Sequence, residues 1–186
     1  MAESNITKRA LADALRQLMK EFPFEKIQVA QICQTCGMNR KSFYYHFKDK
    51  YDLVNWIFDT DFAKYVDENK TDLQWNEHWD LIEQICNYFY LNKCFYKKAL
   101  QIKGQNAFSD HLKEYCRPML IKRLHHLCMD VADNTAFVDF ILDAMISVIT
   151  QWLEDKNDIP PEQFVVKIKY LVQKSASAIH QEAQNK

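Results

Sequence analysis

The sequence predicts an all-α fold, with an N-terminal three-helix bundle carrying a helix-turn-helix and a larger helical body after it. Three observations lead there. The chain has 2 glycines and 4 prolines among 186 residues, against usual usage of about 7% and 5%. Sheets joined by tight hairpins need glycine at positive φ, and dinucleotide or phosphate-cradling loops need several glycines within a few residues. Both are excluded. Apolar and aromatic residues make up 48% of the chain, enough to bury a core and too many for a disordered protein. Finally, the apolar residues recur at helical spacing along most of the chain.

The elements follow in order. Ile6, Ala10, Leu11, Ala14, Leu15 and Leu18 line one face of a helix over 6–20, which Phe22-Pro23-Phe24 ends. Val29, Ile32, Cys33 and Cys36 form the face of a short second helix that stops at Gly37. Asn39 is a natural N-cap for a third helix running to about His46, because its side-chain oxygen accepts the free N–H groups of a first turn. Asp49 caps a fourth, with Asp52 placing negative charge near its positive end. That helix holds Leu53, Val54, Ile57, Phe58 and Phe62 and fades at 68–72. Further helices are expected at 76–91, 94–103, 109–130, 134–153 and 161–183. Pro118 predicts a kink or break in the third of these, and Pro160-Pro161 opens the last.

The net charge of −1 conceals an asymmetry: residues 1–50 carry a balance of +4 and residues 51–186 one of −5. A basic head on an acidic body points the head toward an anionic partner. The polar start MAESNITKRA and the lack of a long apolar run give no signal peptide or membrane span. A cytoplasmic protein with six reduced cysteines is therefore expected.

Residues 27–47, IQVAQICQTCGMNRKSFYYHF, have the outline of a helix-turn-helix: short helix, glycine turn, capped second helix. Met38, Phe43 and Phe47 would point into the core. That leaves Arg40, Lys41, Ser42, Tyr44, Tyr45 and His46 on the other faces, side chains suited to phosphates and base edges. Lys48 and Lys50 follow, Lys50 at a helix start where free N–H groups also attract phosphate. A helical hairpin with a charged face is the plainer alternative. The Cys33–Cys36 pair is only half of a structural zinc site and reads as two small packing residues.

QVAQICQTCGMNRKSFYYHFKDKYDL resembles the DNA-binding segment of the tetracycline-repressor (TetR) family of bacterial regulators. The likeness rests on Ile32 and Gly37 of the turn, on Phe43, Tyr44, His46 and Phe47, and on the K-x-K-x-x-L that follows. Two longer strings, FYYHFKDKYDLVNWIF and FYKKALQIKGQNAFSDHLKEY, look like the regulators of dihydroxyacetone kinase operons within that family. The resemblance implies a DNA-binding domain at 1–50, a helical effector-binding and dimerisation domain at 51–186, and a homodimer on double-stranded operator DNA. It implies phosphate contacts from Tyr44, His46 and Lys50, with Arg40, Lys41 and Tyr45 facing the groove. Gln28 stands where the family has a Ser or Thr cap, so that cap is weaker or supplied otherwise.

In the body, Trp56, Phe62, Phe89, Phe95, Tyr96 and Phe108 could line a cavity for an organic effector, or could be ordinary core. The effector itself, a small molecule or a protein, is not identifiable. Apolar rows on the last two helices comprise Phe137, Phe140, Ile141, Ala144 and Val148, then Phe164, Ile168, Leu171 and Val172, with Ser175 small enough for close approach. The resemblance implies that these form a four-helix dimer interface. A metal sensor would use His78, His111, Cys116, His125, His126 and Cys128, His125 and Cys128 being three apart on one helix; surface histidines and buried cysteines are the preferred reading. No cofactor is expected. No HExxH, GxSxG or carboxylate-rich motif supports catalysis, and a helical interaction scaffold would leave the basic head unexplained.

Overall fold

The computed structural model describes residues 2–68, 78–104, 107–126 and 135–184. Among them are nine α-helices: α1 (Ala2–Glu21), α2 (Val29–Thr35), α3 (Arg40–His46), α4 (Lys50–Glu68), α5 (His78–Leu91), α6 (Lys93–Ala99), α7 (Phe108–His126), α8 (Thr135–Glu154) and α9 (Pro161–Gln184). A 3-10 turn, Phe24–Lys26, joins α1 to α2.

Helices α1 to α3 and the start of α4 form the head. Leu11, Leu15 and Met19 of α1 meet Ile32, Phe43, Phe47, Leu53 and Ile57, all buried. Met38 packs against the same core. Ile6, expected on the inner face of α1, is 69% exposed.

In the body, α5 packs on α9 and α7 on α8. Trp152 of α8 is sandwiched between Phe164, stacked at 4.5 Å, and Tyr90 at 5.9 Å. Its indole N–H donates to the Ile159 carbonyl at 2.8 Å, so its polar handle is satisfied despite burial.

Head and body share one core rather than meeting through a linker. Helix α4, 19 residues long, begins in the head and continues into the body. On it, Asp61 accepts from both Arg9 and Arg16 of α1. From α6, the Lys98 ammonium donates to the carbonyls of Lys20 and Phe22, satisfying acceptors where α1 ends.

Two expectations need correction. Helix α7 runs through Pro118 without a break. Pro118 is exposed, so the carbonyl its ring deprives of a donor lies on a side that water can reach. Helix α6 stops at Ala99 rather than 103. Isolated turns carry the chain on to Ile102, and Gly104 follows at φ +99.

Candidate nucleic-acid interface

The helix-turn-helix is held by local bonds. Gln31 Oε1 accepts from the Gln28 N–H at 2.8 Å. The cap that Gln28 was expected to make weakly or have supplied otherwise is a capping box shared with Gln31, three residues downstream. After α2, Gly37 takes φ +67, the left-handed conformation that ends a helix cheaply only at glycine. The Met38 N–H then donates to the Cys33 carbonyl at 2.8 Å. Asn39 Oδ1 accepts from the Ser42 N–H at 2.8 Å, capping α3.

Helix α3 turns Phe43 fully inward. Arg40, Lys41 and Tyr44 are exposed and Tyr45 is 83% exposed, while Ser42 and His46 are half-buried. The Tyr45 and His46 rings touch edge to face at 4.9 Å. Gln28, Asn39 and Lys48 are also exposed. The result is a face of two cations and two phenols on a helix anchored by one buried phenylalanine.

Lys50 departs from expectation. Asp49 Oδ1 accepts from the N–H groups of Tyr51 and Asp52, both at 2.9 Å, and Asp52 accepts from the Lys48 N–H. The start of α4 is therefore capped from within. The Lys50 ammonium donates to three carbonyls of the α1–α2 connection.

The thiols of Cys33 and Cys36 are both pushed up by burial, and Cys36 Sγ donates to the Ile32 carbonyl. These are packing thiols. Cys86 and Cys116 are pushed up to about 12 by burial, whereas Cys94 on α6 is exposed.

The proposed effector residues are core. Phe62, Phe89, Phe95, Tyr96 and Phe108 are buried, with Phe89 and Tyr96 stacked at 4.3 Å and the Tyr96 and Tyr88 hydroxyls 3.1 Å apart. Trp56 packs on Phe47 of the head at 5.7 Å. An apolar cavity of about 20 Å³ lies elsewhere, lined by Ile82, Ile85, Leu112, Cys116, Ile146 and Ile149 among others. Those aliphatic residues carry no sequence signal that separates them from core.

On the last two helices, Phe140, Ala144, Val148, Leu171 and Val172 are exposed. Phe137, Ile141 and Ile168 are half-buried against the chain's own core. Phe164 is buried within the chain under Trp152, a correction to its place on an outer face. The Ser175 side chain lies outside the described residues. Val166 and Tyr170 extend the exposed face of α9; their four-residue spacing was the available signal. Helix α8 is long and apolar enough to cross a membrane by composition, which revises the reading of no long apolar run. Its inner face is nevertheless occupied by packing at Val138, Leu142, Ile149, Trp152 and Leu153.

Metal sensing gains no support. Among the described residues no group of three or more His, Cys, Asp or Glu is gathered. His111 instead pairs with Asp59 at 2.7 Å and His125 is exposed. Cys128 and the side chains of His78 and His126 lie outside the described residues.

Comparison with known proteins gives the class. Residues 11–57 match "Bacterial regulatory proteins, tetR family", and residues 77–174 match "Transcriptional regulator C-terminal region". The chain belongs to the TetR family of bacterial transcriptional regulators, and its relatives are regulators rather than enzymes. The HTH-type dhaKLM operon transcriptional activator DhaS of Lactococcus lactis is 32% identical over 102 residues. That stretch covers 55% of this chain and 53% of the relative, so the match spans about half the relative's length. Among solved structures, a dihydroxyacetone kinase operon activator DhaS superposes with TM-score 0.59 at 23% identity, covering 91% of this chain and 96% of that one. A TetR transcriptional regulator from Streptococcus agalactiae gives TM-score 0.64 at 20% identity, covering 93% and 95%. These two likenesses show the fold.

Proposed function

We propose that this chain is a cytoplasmic, homodimeric regulator that places α3 in the major groove of operator DNA. The observation that carries the reading is the exposed face of α3. Arg40 and Lys41 open a capped helix, Tyr44 and Tyr45 follow one turn on, and the face has no apolar core to cover. Arg40, Lys41 and Tyr45 read the groove, while Tyr44, His46 and Lys48 hold phosphates, with Gln28, Asn39 and Ser42 at the rim. Two copies meet through α8 and α9, where Phe140, Val148, Val166 and Tyr170 offer apolar surface. Two heads then match two half-sites.

An effector acts through the body. The aromatic cluster is packed, and the aliphatic cavity between α5, α7 and α8 has room for one water-sized group, so an organic effector enters that cavity only as those helices part. The Lactococcus relative supports an activator's role at a dihydroxyacetone kinase operon. Sequencing the genomic DNA retained by the purified protein tests all of this. A single enriched motif with two half-sites upstream of such genes is the expected result. Retention of no sequence above background refutes operator binding, and enrichment upstream of unrelated genes refutes the operon assignment.

A further inference from the structure

Lys50 joins two parts of the head. It opens α4, yet its side chain crosses to the connection between α1 and α2. An ammonium has three donors and no acceptor. Here they meet the carbonyls of Phe24 at 2.8 Å, Glu25 at 3.2 Å and Ile27 at 2.8 Å. The same nitrogen lies 4.4 Å from the centre of the Phe24 ring, and Tyr51, the next residue of α4, packs edge-on to that ring at 5.1 Å. Phe24 and Ile27 are buried. Burial lowers the affinity of the amine for its proton, and the nearby Glu25 carboxylate opposes that shift.

The tied segment immediately precedes Gln28, whose carbonyl accepts the first bonds of α2. Where residues 24–27 sit therefore decides where α2 begins. The Gly37 turn and the Asn39 cap then carry that placement to α3.

We propose that Lys50 is a positioning residue for operator recognition: it ties the chain at 24–27 to the start of α4, so setting α2 and α3, and does not serve as a phosphate ligand. This rests on the operator-binding reading of α3.

The test compares full-length wild type with Lys50→Met and Lys50→Arg, using the genomic fragment recovered above. Melting temperature is measured without DNA. Operator affinity is measured well below every melting temperature across a salt series. Lys50→Met is expected to melt earlier and to bind about tenfold more weakly, the size of one lost base contact, with an unchanged salt slope. Lys50→Arg keeps the charge, but its planar fork cannot aim three donors at three converging carbonyls, so affinity is not restored. It carries the comparison should the methionine variant not fold.

A salt slope shallower by about 0.9 with unchanged melting would make Lys50 a phosphate ligand. Earlier melting with unchanged affinity would make it a stabilising residue only. Wild-type affinity in Lys50→Arg would show that charge alone matters. Each of these overturns the proposal. If the wild type retains no DNA, the operator reading fails by itself. Amide exchange at Ile27 and Gln31 then still tests the tie, with faster exchange in Lys50→Met expected and unchanged exchange overturning it.

Discussion

Replacing Phe58 by alanine tests whether the aromatic heart of the body is packed core or a closed ligand site. Phe58 is fully buried on α4. Its ring centre lies 5.1 Å from Phe62, 5.2 Å from Tyr115 and 5.5 Å from Phe108. His111, Phe89 and Tyr96 complete the shell at 6.1, 6.2 and 6.4 Å. Phe→Ala in a core costs about 3–5 kcal/mol through lost transfer energy and residual cavity. Ring pairs add about 0.5–1.5 kcal/mol each beyond area, without simple additivity. With walls drawn from α4, α5, α6 and α7, collapse is restricted, so the upper end, about 4–5 kcal/mol, is expected. At a urea m-value of about 2 kcal/mol/M the midpoint falls by roughly 2 M, read at fixed protein concentration because dimerisation contributes. Benzene should recover part of the loss by filling a dry apolar cavity. A midpoint shift under about 0.5 M would mean that the rings separate at little cost, and the packed-core reading would be wrong.

The other predictions are local. Arg40→Ala should cost about 1–3 kcal/mol of operator affinity and relax one base position, while Tyr44→Phe weakens all sequences alike; unchanged mobility shifts for both would misplace the recognition helix. Phe140→Glu with Val166→Glu should turn a sedimenting dimer into a monomer with unaltered helicity, since both side chains are exposed in the single chain, and a persistent dimer would move the interface elsewhere. The Lys93 ammonium, 2.5 Å away, holds the Asp158 carboxyl below its usual range. A depressed folded pKa stabilises above the unfolded value and is lost as pH falls through the folded one. The melting difference between wild type and Asp158→Asn should thus be present at pH 7 and fade below about pH 4. Asn tolerates the positive φ of 49 at this position, so backbone strain does not confuse the comparison; a gap that persists to low pH would refute the pairing.

The head was legible because its signals are local. A glycine that must turn, an asparagine that must cap and a phenylalanine between polar neighbours each act within four residues. The partners of Lys50 were not legible for the opposite reason: the carbonyls it meets lie 23 to 26 residues upstream, and a lysine at a helix start looks the same whichever way it points. Phe164 was misplaced because α9 is apolar on two sides. Its spacing is that of Val172 on the outer face, and only the Trp152 ring decides between them. The aromatics of the body were legible as buried, but periodicity does not distinguish a filled interior from a hollow one. Gln28 shows a cap made without Ser or Thr, Gln28 and Gln31 forming a capping box between them.

The distribution of thiols has a practical consequence for spectroscopy. A thiol near pKa 12 is ionised in roughly one molecule per hundred thousand at pH 7, which leaves Cys86 and Cys116 inert to maleimides. Burial also pushes the Cys33 and Cys36 thiols up. Among the described thiols the exposed Cys94 is thus the natural attachment point for a spin label or fluorophore. It sits on α6, the short helix that closes over α1, so a reporter there stands beside the contact between head and body. In a paired molecule, two labels at Cys94 would turn a change in the separation of the heads into a measurable distance distribution.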